Sequence, residues 1–205
     1  MNREEVFSKN VPCVRAVLKG KKIGIAGCGG LGSNLAQILT RMGADCFVLA
    51  DFDLVEPSNL NRQFFFVDQV GRLKVEALRE NLLRINPQVQ CRIESKKIAA
   101  KNALDFFQDC AVVAECFDGA ENKAMLVEAL TRENKMVVAV SGVAGAASPE
   151  SIKITRPLPN LILVGDPVAP DCSEGLICAR VLTAAAMQAW AILDYLKDGT
   201  LTLNA

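Results

Sequence analysis

The chain has 205 residues, 51% of them apolar, which is enough to bury one large core and favours a single domain. Lys plus Arg and Asp plus Glu are balanced at 23 each, so the net charge does not indicate an electrostatic grip on nucleic acid. Histidine is absent, which excludes Ser-His and Cys-His catalysis and leaves carboxylates, Lys, Arg, Cys or a bound metal to carry any chemistry.

The first 20 residues have a loose helical pattern that Pro12 interrupts, and we expect them to form a leader that packs on the core or on a partner subunit. Residues 21–205 are expected to form a single domain. Within it, short apolar runs predict buried strands, and apolar residues at helical spacing predict amphipathic helices. The predicted strands cover 23–26, 46–50, 89–93, 111–114 and 136–140. The predicted helices cover 31–42, 75–85, 121–134 and 179–196.

The pattern changes after Gly145. Residues 152–155 and 161–164 are predicted to be two short strands that extend the sheet in antiparallel fashion. Residues 165–175 are polar and rich in turn formers, so we expect an exposed loop close to the site or to a partner. The alternation of strand and helix predicts an α/β fold of the Rossmann-like, doubly wound type, with a mostly parallel sheet and ligand at the carboxyl ends of its strands.

Neither a secretion signal nor a membrane span is indicated. The longest weakly polar stretch, 136–147, is shorter than the about 20 residues that a spanning helix needs. The eight cysteines include no Cys-x-x-Cys pair, and no charged-then-apolar segment opens the chain. We therefore expect a cytoplasmic protein with reduced cysteines that binds no membrane.

A glycine-rich loop, Gly-Cys-Gly-Gly-Leu-Gly, follows the first predicted strand and precedes the first long helix. Glycines let backbone N–H groups approach an anion at a helix N-terminus, where the helix dipole favours negative charge. The glycines expected to shape this phosphate loop are Gly27, Gly29, Gly30 and Gly32. Asp51 ends the next apolar run, where dinucleotide-binding proteins carry an acid for the ribose hydroxyls, so a nicotinamide enzyme also fits up to this point.

The segment after Asp51 departs from a nicotinamide enzyme. A long polar insertion reads DFDLVEPSNLNRQ up to Gln63, and a helix that opens with Lys74 follows. A connection of this length in a compact domain is usually functional. With the glycine loop and a later CFDG stretch that contains Asp118, it resembles the ThiF/MoeB/HesA superfamily, the activating enzymes of ubiquitin-like and sulfur-carrier proteins. The resemblance covers about residues 21–196, and the short chain is most like the thiamine-pathway branch.

The resemblance implies ATP-dependent adenylation of the C-terminal glycine carboxylate of a small ubiquitin-fold sulfur carrier, with Mg²⁺ bound and pyrophosphate released. Positioned Arg, Lys and Mg²⁺ neutralise the charge that spreads over the phosphates without an acid or a base, so a protein without histidine can carry out this reaction. The implied roles are Asp51 for the ribose hydroxyls, Asp53 as a further nucleotide contact, Asn59 with Arg62 for the β- and γ-phosphates, Lys74 for the α-phosphate, and Asp118 for Mg²⁺.

The local sequence leaves plainer roles open for three of these residues. Asp118 and Glu121 together form a capping box for the helix predicted at 121–134. Lys74 in isolation reads as a solvated lysine at a helix start, although a cation there opposes the helix dipole unless a phosphate lies nearby. Arg62 in isolation reads as a surface residue that pairs with an acidic neighbour.

Cysteines and the leader carry further expectations. In relatives, a cysteine in the crossover loop can form a covalent link with the activated carrier, and Cys172 lies in such a loop. The alternative is that Cys172 is an incidental exposed thiol, because no neighbouring cation would lower its pKa. Without Cys-x-x-Cys pairs, we expect no structural zinc.

Family dimers lend an N-terminal arginine to the neighbouring site, so we expect a homodimer with Arg3 or Arg15 in that role. Without a rhodanese-like extension, the sulfur donor would be a separate protein.

Three classes of function compete. The leading hypothesis is an adenylyltransferase for the thiamine-pathway carrier ThiS, and activation of a molybdopterin-synthase-type carrier is its close alternative. A NAD-dependent oxidoreductase is favoured by the glycine loop and Asp51, but it supplies no role for Asn59, Arg62 or Lys74. A catalytically silent scaffold that binds a ubiquitin-like protein is the third class, and the full set of phosphate residues argues against it.

Overall fold

A seven-stranded sheet organises the residues that the computed structural model describes, 3–168 and 175–198. The strands are β1 (Lys22–Ala26), β2 (Cys46–Ala50), β3 (Gln90–Glu94), β4 (Val112–Glu115), β5 (Val137–Ser141), β6 (Lys153–Leu158) and β7 (Leu161–Gly165). The α-helices are α1 (Arg3–Val6), α2 (Pro12–Leu18), α3 (Gly30–Met42), α4 (Lys74–Ile85), α5 (Ala100–Phe107), α6 (Ala120–Arg132) and α7 (Cys178–Asp198). Single turns of 3₁₀ helix lie at Pro57–Asn59, Val67–Gln69 and Pro149–Ser151.

The strand order is β3-β2-β1-β4-β5-β7-β6, and every neighbouring pair is parallel except β6 with β7. The chain builds outward from β1 to β3 and then returns to place β4 on the other side of β1. At such a switch point the loops that follow β1 and β4 diverge, and they leave a crevice at the carboxyl edge of the sheet. The predicted doubly wound α/β fold is confirmed.

The predicted antiparallel extension of the sheet is confirmed, because the two short strands β6 and β7 pair with each other in antiparallel fashion. β7 pairs in parallel with β5, and β6 alone runs against its neighbour. β6 forms the edge of the sheet, which accommodates Pro157 because an edge strand can lack one N–H donor without losing a ladder bond.

The sequence patterns did not predict α5, which lies in the connection from β3 to β4. This connection crosses from one side of β1 to the other, and parallel crossovers need about a dozen or more residues. The Asn102 side chain accepts a hydrogen bond from the Ala99 N–H at 2.7 Å and caps the first turn. Phe107 is fully buried against Gly24, where a Cβ atom would lie 2.6 Å from the ring. With 8 residues, α5 is too short for helical periodicity to stand out.

Alternate residues along the strands feed two hydrophobic clusters, one on each face of the sheet. Ile23 and Ile25 of β1 join the cluster that includes α3, α4 and α7, whereas Val48 and Ala50 of β2 join the cluster that includes α5 and α6. α3 ends where predicted, at Gly43 with a left-handed φ of 107°. In residues 3–168 and 175–198, no helix is long and apolar enough to cross a membrane.

The N-terminal leader packs beside the last helix, because α2 contacts α7 and Leu18 is fully buried. The Arg15 guanidinium lies over the Phe7 ring at 5.5 Å from its centroid, and the Arg15 side chain covers Gly43. α3 has 13 residues and rises about 1.5 Å per residue, which places its Gly43 end about 20 Å from its start at the glycine loop. Within its own subunit, Arg15 therefore stays away from that loop, and its role in a neighbouring site stays a prediction.

Candidate active site

A cavity of about 660 Å³ opens at the carboxyl edge of the sheet, over the crevice beside β1. Its volume falls within the range of about 300–1,000 Å³ that is usual for ligand pockets. The predicted site residues that line it are Gly27, Gly29, Gly30, Asp51, Asp53, Arg62, Lys74 and Asp118. Gly32 and Asn59 are not in its wall, and Cys172 lies outside the described residues.

The glycine loop (residues 27–32) turns sharply from β1 into α3. Gly27 has a left-handed φ of 92°, and a Cβ atom there would lie 2.9 Å from the Cys116 carbonyl oxygen. A Cβ atom at Gly32 would lie 1.8 Å from the Gly27 carbonyl oxygen. Gly32 therefore lets the first turn of α3 pack against β1. Because α3 starts at Gly30, its free N–H groups and positive dipole end face the cavity.

Asp51 links the loops that follow β1 and β2. One carboxylate oxygen accepts a hydrogen bond from the Cys28 N–H at 2.6 Å, and the other accepts one from the Asp53 N–H at 2.9 Å. Burial raises the pKa of Asp51, and these two backbone donors oppose that rise. An ionised carboxylate has about four acceptor sites, so the group can hold the loop and still accept from a ligand hydroxyl.

Lys74 is buried at the first residue of α4, and its side chain is 9% exposed. Its ammonium group pairs with Asp53 at 2.8 Å, and its backbone N–H donates to the Asp53 carbonyl at 2.9 Å. Lys74 is therefore not a solvated lysine. A buried cation at a helix N-terminus opposes the helix dipole, and an anionic partner in the cavity would offset that cost.

Arg62 lines the cavity from the turn that follows the 3₁₀ turn at Pro57–Asn59. Its Nη1 donates to the Ser58 carbonyl at 3.0 Å and to Asn61 Oδ1 at 2.8 Å, while Nε and the rest of the guanidinium leave donors for a ligand. Within the described ranges, Arg62 makes no salt bridge with an acidic neighbour. Asn59 is buried in the 3₁₀ turn itself: its Oδ1 accepts from the Glu56 N–H at 3.0 Å, and its carbonyl accepts from the Arg62 N–H at 3.1 Å. Its side chain therefore stabilises the 3₁₀ turn, and its backbone carbonyl holds the Arg62 backbone.

Asp118 follows β4 and projects from the cavity wall as an exposed residue. The N-cap of α6 is Gly119, which has no side-chain cap, so the alternative capping-box role is wrong. No cluster of three or more His, Cys, Asp or Glu residues forms a metal site within 3–168 and 175–198. A lone carboxylate fits Mg²⁺, which typically keeps several waters and binds one or two carboxylates together with substrate phosphates.

Lys123 and Glu115, which no sequence pattern predicted, stabilise the part of the cavity wall that carries Asp118. The Lys123 ammonium donates to both Glu115 oxygens, at 3.1 and 3.2 Å, and to the Val140 carbonyl at 2.9 Å. Burial raises the pKa of Glu115, and its carboxylate also accepts from the Phe117 N–H at 2.7 Å. This pair ties the carboxyl ends of β4 and β5 together beside Asp118. A Glu and a Lys eight positions apart carry no recognisable motif, so the sequence offered no signal for them.

Gln63 is the residue of the Arg-Gln dipeptide whose role the sequence did not resolve. It lines the cavity and is 9% exposed, and among the residues that the structure describes its buried Oε1 has no hydrogen-bond partner. Its Nε2 lies 3.8 Å from the place where a Cβ of Gly29 would be. Buried polar atoms are normally paired, so an amide left open beside the glycine loop is suited to contact a ligand.

Cys28, Cys91 and Cys110 offer no reactive thiol. Cys28 is fully buried in the glycine loop, and burial raises its pKa well above the usual value. Burial also raises the pKa of Cys91 and of Cys110 to about 12. High thiol pKa values disfavour the thiolate, so these cysteines pack as small apolar residues.

The chain is similar to known proteins along most of its length. Ubiquitin-like modifier-activating enzyme 5 of Drosophila virilis is 33% identical over 175 residues, which covers 80% of this chain and 42% of that enzyme. The enzyme of the same name from Caenorhabditis elegans is 28% identical over 201 residues, covering 88% and 48%. This chain thus spans less than half the length of these relatives.

Two solved Escherichia coli structures share the fold. The tRNA N6-threonylcarbamoyladenosine dehydratase TcdA in complex with ATP aligns with a TM-score of 0.84 at 20% identity, covering 94% of this chain and 92% of that one. MccB with ATP aligns with a TM-score of 0.74 at 22% identity, covering 93% and 60%. At these identities the likeness shows the fold alone. A match to the ThiF family extends over residues 7–196, and the chain therefore belongs to the ThiF family.

Proposed function

We propose that this protein is an ATP-dependent adenylyltransferase that activates the C-terminal glycine carboxylate of a ubiquitin-fold sulfur carrier, with Mg²⁺ as its metal. One observation carries the proposal: a single cavity brings together the glycine loop, the Asp51 carboxylate, the cations Arg62 and Lys74, and the Asp118 carboxylate. These are the groups needed to hold ribose, phosphates and a hydrated metal ion.

In the proposed reaction, a carboxylate oxygen of the carrier attacks the α-phosphorus of ATP. A new P–O bond forms, the bond to the oxygen that bridges the α- and β-phosphorus breaks, and pyrophosphate leaves with that electron pair. No proton is transferred, so the reaction needs no histidine. The cost lies in the negative charge that accumulates on the phosphates, which Arg62 and Lys74 are placed to neutralise. Mg²⁺, when bound through Asp118, would neutralise further charge on the phosphates.

The cavity favours ATP over a nicotinamide dinucleotide. Its lining includes the cations Arg62, Lys74, Lys96, Lys123 and Lys153. Lys123 is paired with Glu115. Lys74 is paired with Asp53 but, like Arg62, lines the part of the cavity that holds the glycine loop, where phosphates are proposed to bind. A triphosphate carries more charge than the pyrophosphate of NAD, so it makes fuller use of these two groups. TcdA and MccB, which share the fold, have both been solved with ATP.

The identity of the carrier is the finer part of the proposal. The insect and nematode relatives are activating enzymes of a ubiquitin-like modifier, which supports a ubiquitin-fold substrate. Among such substrates we propose ThiS of thiamine biosynthesis, with a separate protein as sulfur donor and a cytoplasmic homodimer as the working form. A molybdopterin-synthase-type carrier is the alternative within the same chemistry.

The test is adenylation of purified carriers. The protein is incubated with ATP, Mg²⁺ and ThiS-type or molybdopterin-type carriers ending in Gly-Gly, and the carrier mass is read by mass spectrometry. The expected product is the ThiS-type carrier with one AMP added, together with carrier-dependent exchange of labelled pyrophosphate into ATP. Binding of NAD without binding of ATP would overturn the proposal, and so would ATP binding without an adenylate on any carrier.

A further inference from the structure

The cavity has two parts that rest on different strands. The nucleotide half lies over β1, β2 and β4 and carries the glycine loop, Asp51, Arg62, Lys74 and Asp118. The other part, here called the distal half, lies over the carboxyl ends of β5 and β7. The residues that define the distal half are Gly142, Val143, Ala144, Gly165, Asp166 and Pro167.

Arg180 lies behind the distal half and binds both of its loops. Its Nη2 pairs with Asp166 at 2.8 Å and donates to the Gly142 carbonyl at 3.3 Å. Its Nη1 donates to the carbonyls of Ala147 and Ser148, at 2.8 and 2.9 Å. One guanidinium thereby ties the loop after β5, the end of β7 and the start of α7 to each other.

Asp166 completes this network from the end of β7. The Ser151 hydroxyl donates to the same carboxylate oxygen that pairs with Arg180, and the Val168 N–H donates to the other oxygen at 3.0 Å. The hydrogen bond from Ser151 holds the pKa of Asp166 below its usual value, with help from Val168 and Arg180. The side chains of Arg180 and Asp166 are 3% and 1% exposed, so both charges are withdrawn from water.

Local preference does not account for Arg180 at this position. It is the third residue of α7, where the helix dipole disfavours a cation. Burying an ion pair costs desolvation free energy, and a well-packed apolar pair of the same volume is often as stable. Maximal stability alone would therefore favour other residues. A planar fork that reaches several carbonyls is suited to fixing loop positions.

We propose that Arg180, with Asp166 and Ser151, is a clamp that positions the distal half of the cavity to receive the carboxylate-bearing segment of the second substrate. Arg180 is a positioning residue, because it acts through the loops that it holds. The proposal rests on the proposed function for the identity of that segment. It predicts a separation of effects: loss of the clamp weakens use of the carrier and leaves ATP binding intact.

The test compares Arg180→Met, Arg180→Lys and Ser151→Ala with the unmodified protein. Arg132→Met is the matched control, because Arg132 is an exposed arginine near the end of α6 and its side chain is 75% exposed. In Arg180→Met, we expect the KM for a Gly-Gly carrier to rise about tenfold or more, since small displacements of positioning groups have large kinetic effects. The Kd for ATP without carrier should stay within about twofold of the unmodified value. Arg180→Lys keeps the charge but not the fork and should recover part of the loss.

If Arg180→Met weakens ATP binding as much as it weakens use of the carrier, Arg180 stabilises the fold in general and the clamp is overturned. An unchanged KM for the carrier in Arg180→Met would also overturn the clamp. If Arg180→Met does not fold, Arg180→Lys and Ser151→Ala decide the matter by the same comparison of ATP Kd with carrier KM.

Hydrogen exchange separates the clamp from the proposed function, because it needs no carrier. We expect amides of residues 142–151 to exchange faster in the Arg180 variants while those of the glycine loop do not change. This result supports the clamp even if no carrier is adenylated. Faster exchange throughout the chain, or none at 142–151, overturns it.

Discussion

Gly32→Ala tests whether the contact between α3 and the end of β1 shapes the glycine loop. Helix propensity favours this substitution by about 1 kcal/mol, because alanine is a better helix former than glycine. The tertiary structure predicts the opposite sign. A Cβ at this position would lie 1.8 Å from the Gly27 carbonyl oxygen, and that backbone atom cannot rotate away as a flexible side chain would.

The magnitude follows from the displacement that the new methyl group requires. Cβ atoms essentially never approach other atoms closer than 3.0 Å, so the loop must move by more than 1 Å to relieve a contact of 1.8 Å. Overpacking of this kind costs about 1–3 kcal/mol, which matches or exceeds the gain in propensity. The net loss is therefore up to about 2 kcal/mol, which for a chain of this size lowers Tm by up to about 8 °C. A phosphate loop displaced by about 1 Å should also lose roughly a hundredfold in catalytic efficiency.

The assay combines thermal unfolding without nucleotide and calorimetric titration with ATP and Mg²⁺. Gly29→Ala is the matched control, since its new Cβ would meet Gln63 Nε2 at 3.8 Å, an ordinary contact. Gly29→Ala should have the same Tm as the unmodified protein, even if its new methyl group crowds the phosphates and lowers the affinity for ATP. A higher Tm for Gly32→Ala with undiminished ATP affinity would refute the role assigned to this contact.

Three further predictions concern the nucleotide half. Arg62→Ala should abolish pyrophosphate exchange without lowering Tm; undiminished exchange removes Arg62 from the mechanism. Because burial raises the pKa of Asp51, ATP affinity should fall as pH drops through that raised value, at a pH above the usual range for an aspartate. The contribution of Asp51 to the stability of the ATP-free protein should be lost as pH rises through the same value. Asp51→Asn should flatten the pH dependence of the ATP Kd, and a slope equal to that of the unmodified protein contradicts this assignment. Gln63→Glu should weaken ATP binding by about tenfold, because the new carboxylate repels the phosphates, and adenosine binding should be unchanged in the same titration. An equal loss of affinity for ATP and for adenosine argues against a phosphate contact.

The glycine loop and Asp51 could be located without the tertiary structure because their signals are local. A loop between an apolar strand and an amphipathic helix shows its glycines in consecutive positions, and Gly27 needs the left-handed conformation that glycine adopts readily. The end of α3 at Gly43 was equally clear, since a glycine that follows a periodic helix marks its C-terminus. In contrast, α5 has no clear sequence signal, because 8 residues give little more than two turns of periodicity.

Some roles were left open by the sequence and decided by burial. Lys74 is enclosed and paired with Asp53, whereas its helix-start position alone was compatible with a solvated lysine. The Asn59 side-chain amide is hydrogen-bonded within its own 3₁₀ turn and does not line the cavity, whereas the motif predicts a contact with phosphate there. In both cases the residue type and spacing were known, but the direction of the side chain depends on packing that no local pattern records.

The fold class, the place of the glycine loop and the family resemblance follow from the amino-acid sequence, because strand and helix periodicity and short motifs depend on residues close together in the chain. Which distant groups complete the cavity depends instead on how the chain folds. Lys123 meets the Val140 carbonyl and Arg180 meets Asp166 and the Gly142 carbonyl because the strand order places the ends of β4, β5 and β7 side by side. Such pairings arise from how the sheet is assembled, and side chains that are far apart in sequence carry no mark of them until the strands are in place.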